Sequence, residues 1–305
     1  MRPRLPLPEL PASFTVADAR AAGIDYGRLR GGDLDSPFHG VRSAPNSPSE
    51  IPERRVHDRA ELYSPRLKPG QFFSEATALA IWGLPLPAGE DSDVIHVAVL
   101  PPATAPRARG VRGHQYEVDR VFARDGLPVC SAVLAWRQCA ARMSVDQLIL
   151  VGDALLRRVR PFTTVEGLAH LVGSSAGHRG SQRLARALTE IRPRTDSPKE
   201  TGTRLVITRG GLPEPDVNAP VRDHSGRALG LGDLVYEPWR VVIEYDGGYH
   251  FASDAQMYSD IDRLAAFAAA GWTVIRVHKF HLREPQVIVD RVSAALLAAG
   301  WSARS

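Results

Sequence analysis

Three carboxylates in the last third of the chain have the types and spacing to hold a cation. Asp233 is followed eleven positions later by Glu244, and Asp246 comes two after that, in GDLVYEPWRVVIEYDGG. LGLGDLVYEPW and the β-branched run RVVIEYDGG read as two strands joined through Pro238-Trp239. A symmetric hairpin about that pair sets Glu237 opposite Arg240, Val235 opposite Val242 and Asp233 opposite Glu244. Period two then places Glu244 and Asp246 on one face and Val241, Ile243 and Tyr245 on the other. Like charges directly opposite in a sheet repel. Carboxylate oxygens converging in this way suit Mg²⁺ or Mn²⁺. The alternative is that Glu244 and Asp246 form the solvated face of an edge strand.

The elements that must position these acids follow from local pattern. SPKETGTRLVITRGG begins with Ser197 as a helix N-cap, Pro198 in the first turn and Glu200 at capping-box spacing, and Gly210-Gly211 ends the helix. VNAPVRDHSG reads as a strand before the hairpin. A helix ending in DIDRLAAFAAAG, the strand WTVIRV and a terminal helix PQVIVDRVSAALLAA come after it. The order over residues 197–305 is αβββαβα. Asp260 and Arg263, one helical turn apart, are expected to be an ion pair on the rim of the site. His278 and His281 lack the thiols or carboxylates of a zinc pattern and read as loop residues.

With these residues in view, the segment resembles the PD-(D/E)XK nuclease signature. SPKET with Arg204, then GLPEP, GDLVYEP, VVIEYDGGYH, Asp260-x-x-Arg263 and GWTVIRV are similar to the endonuclease-domain family grouped with very-short-patch-repair (Vsr) endonucleases, over residues 197–297. The resemblance implies a restriction-endonuclease-like core that hydrolyses phosphodiester bonds with Mg²⁺ or Mn²⁺. It makes Asp233 and Glu244 metal ligands and brings Glu200 from the first helix to the same site, with Glu200 or Asp246 accepting the proton from water. Asp246 stands where many relatives have lysine, so His250, Gln256 or Lys279 must substitute, or the metal must do more. Upstream, FTVADA, SPFHGVR, SEATALAIWGLPLP and GVRGH resemble the N-terminal region of AbiEi-type antitoxin-like proteins, a winged helix with an accessory domain.

That upstream region also has a reading of its own. Thr15 and Asp18 suit a helix N-terminus, Gly23 ends that helix, Asp25 caps a second one through Arg30, and a strand lies near Phe38 to Arg42, the order of a winged helix-turn-helix. Arg28 and Arg30 would lie on the second helix as nucleic-acid contacts. Residues 43–70, rich in proline, serine and charge, read as a linker or long surface loop. A helix over Ser74 to Trp82, a strand VIHVAVL, a further strand in GVRGHQYEV and two helices in SAVLAWRQCAARMSVDQLILVGDALLRR make the middle region a scaffold. His96 and His114 stand isolated there and carry no expected chemistry.

The expected architecture is mixed α/β: a winged-helix-like domain over 1–66, an α+β scaffold over 67–196 and the nuclease-like domain over 197–305. Charge locates the nucleic-acid contacts. The net charge is +4, and residues 174–196 hold five basic against two acidic groups, whereas residues 197–305 are nearly balanced at 12 against 13. Arg179, Arg183 and Arg186 fall at i, i+4 and i+7 beside the apolar stripe Leu184, Leu188 and Ile191, which reads as a phosphate-contacting helix or a solvated face.

Composition excludes other classes. No apolar run has the roughly 20 residues of a bilayer crossing, and prolines interrupt the start where a secretory signal would be apolar, so the expectation is a cytoplasmic protein. Two cysteines, Cys130 and Cys139, without CxxC spacing, exclude a disulfide framework and a cysteine-rich zinc site. The expected partner is nucleic acid, DNA first. The expected function is metal-dependent endonuclease; a non-catalytic DNA-binding regulator or antitoxin with a degenerate core, and an RNA-processing enzyme, are the alternatives.

Overall fold

The computed structural model describes residues 10–246 and 254–302, the side chains of 254–257 excepted. The expected auxiliary residue His250 therefore lies outside the described residues, and Gln256 is described only as part of a helix backbone. The chain is mixed α/β, with three sheets among the described residues. It divides into two compact units, one of residues 1–151 and 169–186, the other of 152–168 and 187–305. The expected boundary at 66/67 falls inside the first unit and that at 196/197 inside the second.

The first unit opens with β1 (Ser13–Thr15) and α1 (Val16–Ala21), capped by the Thr15 hydroxyl, which accepts from Asp18 N. β2 (Val41–Ser43) pairs antiparallel with β1. The helix expected to follow α1 is a single 3-10 turn, Arg28–Arg30. The Asp25 carboxylate accepts from Gly27 N at 2.7 Å and closes a tight turn there, and Gly31 follows too soon for further helical turns. Arg28 is ion-paired to Asp33 and Arg30 stacks over Tyr26, so neither projects from a recognition helix.

Residues 43–70 are not a simple linker, because α2 (Pro52–Tyr63) lies within them and buries Val56, Ala60 and Tyr63. That i, i+4, i+7 spacing behind an N1 proline was a legible helix signal. Next come β3 (Gln71–Phe73), α3 (Glu75–Ile81), β4 (Ile95–Val99), β5 (Val111–Gln115), β6 (Phe122–Arg124) and β7 (Leu127–Val129). The five strands form one sheet in the order β5-β4-β3-β7-β6. α4 (Ala132–Cys139) buries Ala132, Ala135, Trp136 and Cys139. α5 (Val145–Leu155), α6 (Val165–Ser174) and α7 (Ser181–Glu190) complete the run of helices before the C-terminal sheet.

The second unit has the expected αβββαβα order. It runs α8 (Pro198–Arg209), β8 (Asp216–Arg222), β9 (Ala228–Tyr236), β10 (Val241–Asp246), α9 (Asp254–Ala269), β11 (Thr273–His278) and α10 (Pro285–Ala298). The sheet order is β11-β10-β9-β8, with β8, β9 and β10 antiparallel and β11 parallel to β10. Alternation along β10 feeds two cores. Val241 and Ile243 pack with Leu234, Tyr236, Ile207 of α8 and Ile288 of α10, while Val242 packs with Val235 and with Phe267 of α9. The carboxylate-bearing face is thus the α9 face, covered rather than open.

Ser197 caps α8, its hydroxyl accepting from Glu200 N at 3.2 Å. Ser197→Ala should cost about 1 kcal/mol of stability. A urea midpoint equal to wild type at unchanged slope would show that the cap contributes nothing.

No described helix is long and apolar enough to cross a membrane. Cys130 and Cys139 are both free and buried, and burial pushes the Cys130 thiol up to about 12.

Candidate functional site

The β9–β10 ladder pairs Val241 with Tyr236, Val242 with Val235 and Ile243 with Leu234. The register is the one expected, although a 3-10 turn at Glu237–Trp239 with Arg240 in the left-handed region replaces the two-residue hairpin. One step further, Asp233 N donates to the Glu244 carboxylate at 3.4 Å, and Tyr245 N, next to Glu244, donates to the Asp233 carboxylate at 2.7 Å. The two acids meet across the strands as their spacing requires.

Glu244 is buried and does not stand alone. Arg263 of α9 donates to both its carboxylate oxygens, at 2.9 and 3.2 Å, to the Leu231 carbonyl at 2.7 Å, and to Asp260. The Asp260–Arg263 pair is formed, but Arg263 belongs to the centre of the acidic group rather than to its rim. Glu200 is buried and accepts from Asp196 N at 3.0 Å and from the Asn218 amide at 2.7 Å. Asn218, at φ 45°, is the β8 residue between the pairs Val217↔Leu234 and Ala219↔Gly232, which puts it beside Asp233. Its left-handed backbone is tolerated better by asparagine than by most residues.

Asp246 goes elsewhere. It is ion-paired to Arg276 of β11 and lies 3.5 Å from His278, so the expected convergence of Asp233, Glu244 and Asp246 becomes a pair plus a separate ion pair. The cause is the parallel β10–β11 ladder, which sets Asp246 against His278 and Glu244 against Arg276. Lys279 is exposed beyond β11, its ammonium over the Phe280 ring. His281 accepts from His278 N at 3.1 Å, a loop role.

Burial pushes the Asp233 carboxyl up, and the charges of Glu244 and Glu200 push it further. Burial also raises Glu244, against the opposing pull of Arg263, and raises Glu200 against its hydrogen bonds. Carboxyls that hold protons more tightly when folded link folding to proton uptake, so stability falls as pH rises from the ordinary carboxylate range through the raised values. Asp233→Asn should therefore flatten the stability–pH profile between about pH 4 and 8. Parallel wild-type and variant profiles across that range would refute the burial argument.

The expected arginine contacts also have assignments. Arg183 donates to the carbonyls of Ala141 and Met143, at 3.0 and 3.3 Å, and so ties α7 to the end of α4. Arg179 lines a cavity of the first unit, and Arg186 lies on an exposed position of α7, which buries Leu184 and Ala187, with Ile191 buried just beyond its end.

The first unit holds a second cluster that the sequence reading passed over. His96 and His114, taken as isolated, are 2.9 Å apart, Nδ1 to Nε2, with parallel rings. The Glu75 carboxylate lies 3.3 Å from His96 and 3.0 Å from His114, and Glu90 lies 3.0 Å from the other nitrogen of His96. Arg142 pairs with both acids, and Tyr116 donates to Glu75. Burial works to raise the Glu75 pKa, but hydrogen bonds from His96 and Tyr116 and the histidine charges bring it down to about 2. Burial likewise works to lower His96, and Glu75 and Glu90 more than offset it.

The chain thus carries clusters of acidic and histidine side chains that could hold a metal ion. Among the described residues, Glu75/His96/His114 and the more exposed His57/Asp58/Glu61 bring three ligand atoms within 4.8 Å of one another. The Glu200, Asp233 and Glu244 carboxylates do not form such a trio.

The chain is similar to two Mycobacterium tuberculosis proteins, "Uncharacterized protein MT2308" of strain CDC 1551 / Oshkosh and "Uncharacterized protein Rv2248" of strain ATCC 25618 / H37Rv. Each is 24% identical over 222 residues, 72% of this chain and 79% of the relative. No family model matches the chain, and no solved structure matches it.

Proposed function

We propose that the second unit is a restriction-endonuclease-like, divalent-metal-dependent nuclease acting on DNA, preceded in the chain by a region that resembles the N-terminal part of antitoxin-like proteins. The observation that carries this reading is the meeting of Asp233 and Glu244 across β9 and β10 inside an αβββαβα unit. Asp233, whose proton is held above the ordinary range by burial and by the charges of Glu244 and Glu200, is a buried donor that a hard cation with oxygen ligands would suit. One or two carboxylates are a sufficient protein share for Mg²⁺, which keeps several waters.

Asp233 and Glu244 would hold the ion. Mg²⁺ or Mn²⁺ bound there would supply Lewis acidity toward a phosphoryl oxygen and would lower the pKa of water. Glu200, anchored by Asp196 N and Asn218, adds negative charge next to Asp233 and is the proton acceptor in this reading. Arg263 provides the fixed positive charge that many relatives take from lysine, and it holds Glu244 in place.

The second reading, a non-catalytic DNA-binding regulator, is favoured by one observation. Arg263 already neutralises Glu244 and Arg276 already neutralises Asp246, so much of the acidic charge is balanced without a cation. Incubating the purified chain with plasmid, single-stranded DNA and RNA, each with Mg²⁺, Mn²⁺ or EDTA, separates the readings. Cleavage of DNA that EDTA abolishes supports the nuclease; binding without cleavage under every condition supports the regulator, and cleavage of RNA alone moves the substrate.

A further inference from the structure

We infer that the first unit contains a second, chemically different metal site, in which Glu75, His96 and His114 bind one zinc-class divalent ion. The three residues come from three elements, at the N-terminus of α3, in β4 and in β5, and two antiparallel or parallel ladders bring them together. Zn²⁺ takes histidine nitrogen and carboxylate oxygen at about 2.0–2.2 Å. Ligands so placed around a tetrahedral ion are about 3.3 Å apart. His96 Nδ1 lies 2.9 Å from His114 Nε2 and 3.3 Å from the Glu75 carboxylate, and one ligand atom of each residue lies within 4.8 Å of the others, so binding parts the two imidazoles and displaces Arg142 from the Glu75 oxygen that it shares with His96.

Three further features suit a built site rather than an incidental polar core. His96 is fully buried, and its outer nitrogen meets the Glu90 carboxylate at 3.0 Å, the carboxylate–histidine arrangement that orients metal-binding imidazoles. Glu75 sits at φ 49° where β3 turns into α3, a conformation that is uncommon for a non-glycine residue and is held by a hydrogen bond from Glu75 N to the Gln138 side-chain carbonyl. The Gln138 amide nitrogen is buried with no hydrogen-bond partner, and both Glu75 and Gln138 line a cavity of about 1330 Å³. An exogenous acceptor entering that cavity, which Glu75 lines but His96 and His114 do not, would satisfy it.

The donor set distinguishes this site from the Asp233–Glu244 pair. Two imidazoles and one carboxylate favour Zn²⁺ or Co²⁺, whereas carboxylates with water favour Mg²⁺ or Mn²⁺. Three protein ligands also leave a coordination position for water, the pattern of catalytic rather than structural zinc.

The test uses the full chain, stripped with chelator and titrated with Zn²⁺ by calorimetry and with Co²⁺ by its visible absorption. One equivalent and a tetrahedral Co²⁺ spectrum are expected. Glu75→Gln and His114→Gln should remove the spectrum, and Glu90→Gln should weaken Zn²⁺ binding roughly 10- to 100-fold. Asp233→Asn with Glu244→Gln should leave it unchanged, so this inference fails or survives separately from the nuclease reading. His114 is partly exposed, so its variant tests the site even if Glu75→Gln disturbs folding. No bound equivalent in the wild-type chain overturns the inference. So does an equivalent kept at full affinity in a folded His114→Gln variant, or one lost on His57→Ala instead.

Discussion

Asp233→Asn and Glu244→Gln should each lower Mg²⁺-dependent DNA cleavage by about 10²-fold or more, the scale lost when one preorganised electrostatic group is removed from an active site. Both substitutions keep side-chain size; Asp233→Asn removes a charge that burial and Glu244 disfavour, and Glu244→Gln keeps an oxygen that can accept from Arg263, which retains Asp260, so folding should be retained. DNA binding should hold or tighten as repulsion from phosphate falls. Asp246→Asn is the internal control. Its carboxylate is committed to Arg276 and His278, so cleavage should stay within about tenfold of wild type, a difference of roughly 1.4 kcal/mol. If Asp246→Asn is as inactive as Asp233→Asn, Asp246 is a ligand and the separation of the two ion pairs misleads. If the wild-type chain cleaves no nucleic acid with Mg²⁺ or Mn²⁺, and the Asp233 and Glu244 variants bind DNA as it does, the regulator is the better reading.

Arg204→Met should destabilise the chain by about 3–5 kcal/mol, the penalty for leaving a buried charge without its partner. Arg204 and Asp153 are almost completely buried, and the guanidinium reaches Asp153 at 3.0 Å, the Glu190 carbonyl at 2.8 Å and Glu214 at 3.1 Å. Asp153 also accepts from Arg192 N and the Thr201 hydroxyl, yet burial still raises its pKa against all of these. The double variant Arg204→Met/Asp153→Asn should recover part of the loss because no charge remains buried. Urea unfolding of the three proteins decides it: a single variant within 0.5 kcal/mol of wild type, about the scale of an ordinary surface change, would mean that the pair contributes little. Arg204 therefore supports α8, and with it the position of Glu200, without touching the acidic pair itself.

How much of this was legible depends on how local the controlling interactions are. Ser197, Pro198 and Gly210 bracket α8 within one short segment, so the helix followed from its own residues. The Asp233–Glu244 meeting was legible for the same reason, since adjacent antiparallel strands joined by a short turn have a register set by the turn and by two-residue alternation. The buried stripe of α2 was equally local and was hidden only by the proline, serine and charge around it. What tertiary structure alone decided is the partner each charged group took. Arg276 drew Asp246 away because β11 docks parallel to β10 from across a helix, and Arg263 reached Glu244 because α9 covers that face of the sheet. Glu75, His96 and His114 look unrelated along the chain, and only the pairing of β3 with β4 and of β4 with β5 makes them neighbours. The physical reason is that a strand's neighbours are chosen by the summed burial and hydrogen bonding of a whole sheet, so side-chain contacts across such pairings are not encoded in any short stretch of residues.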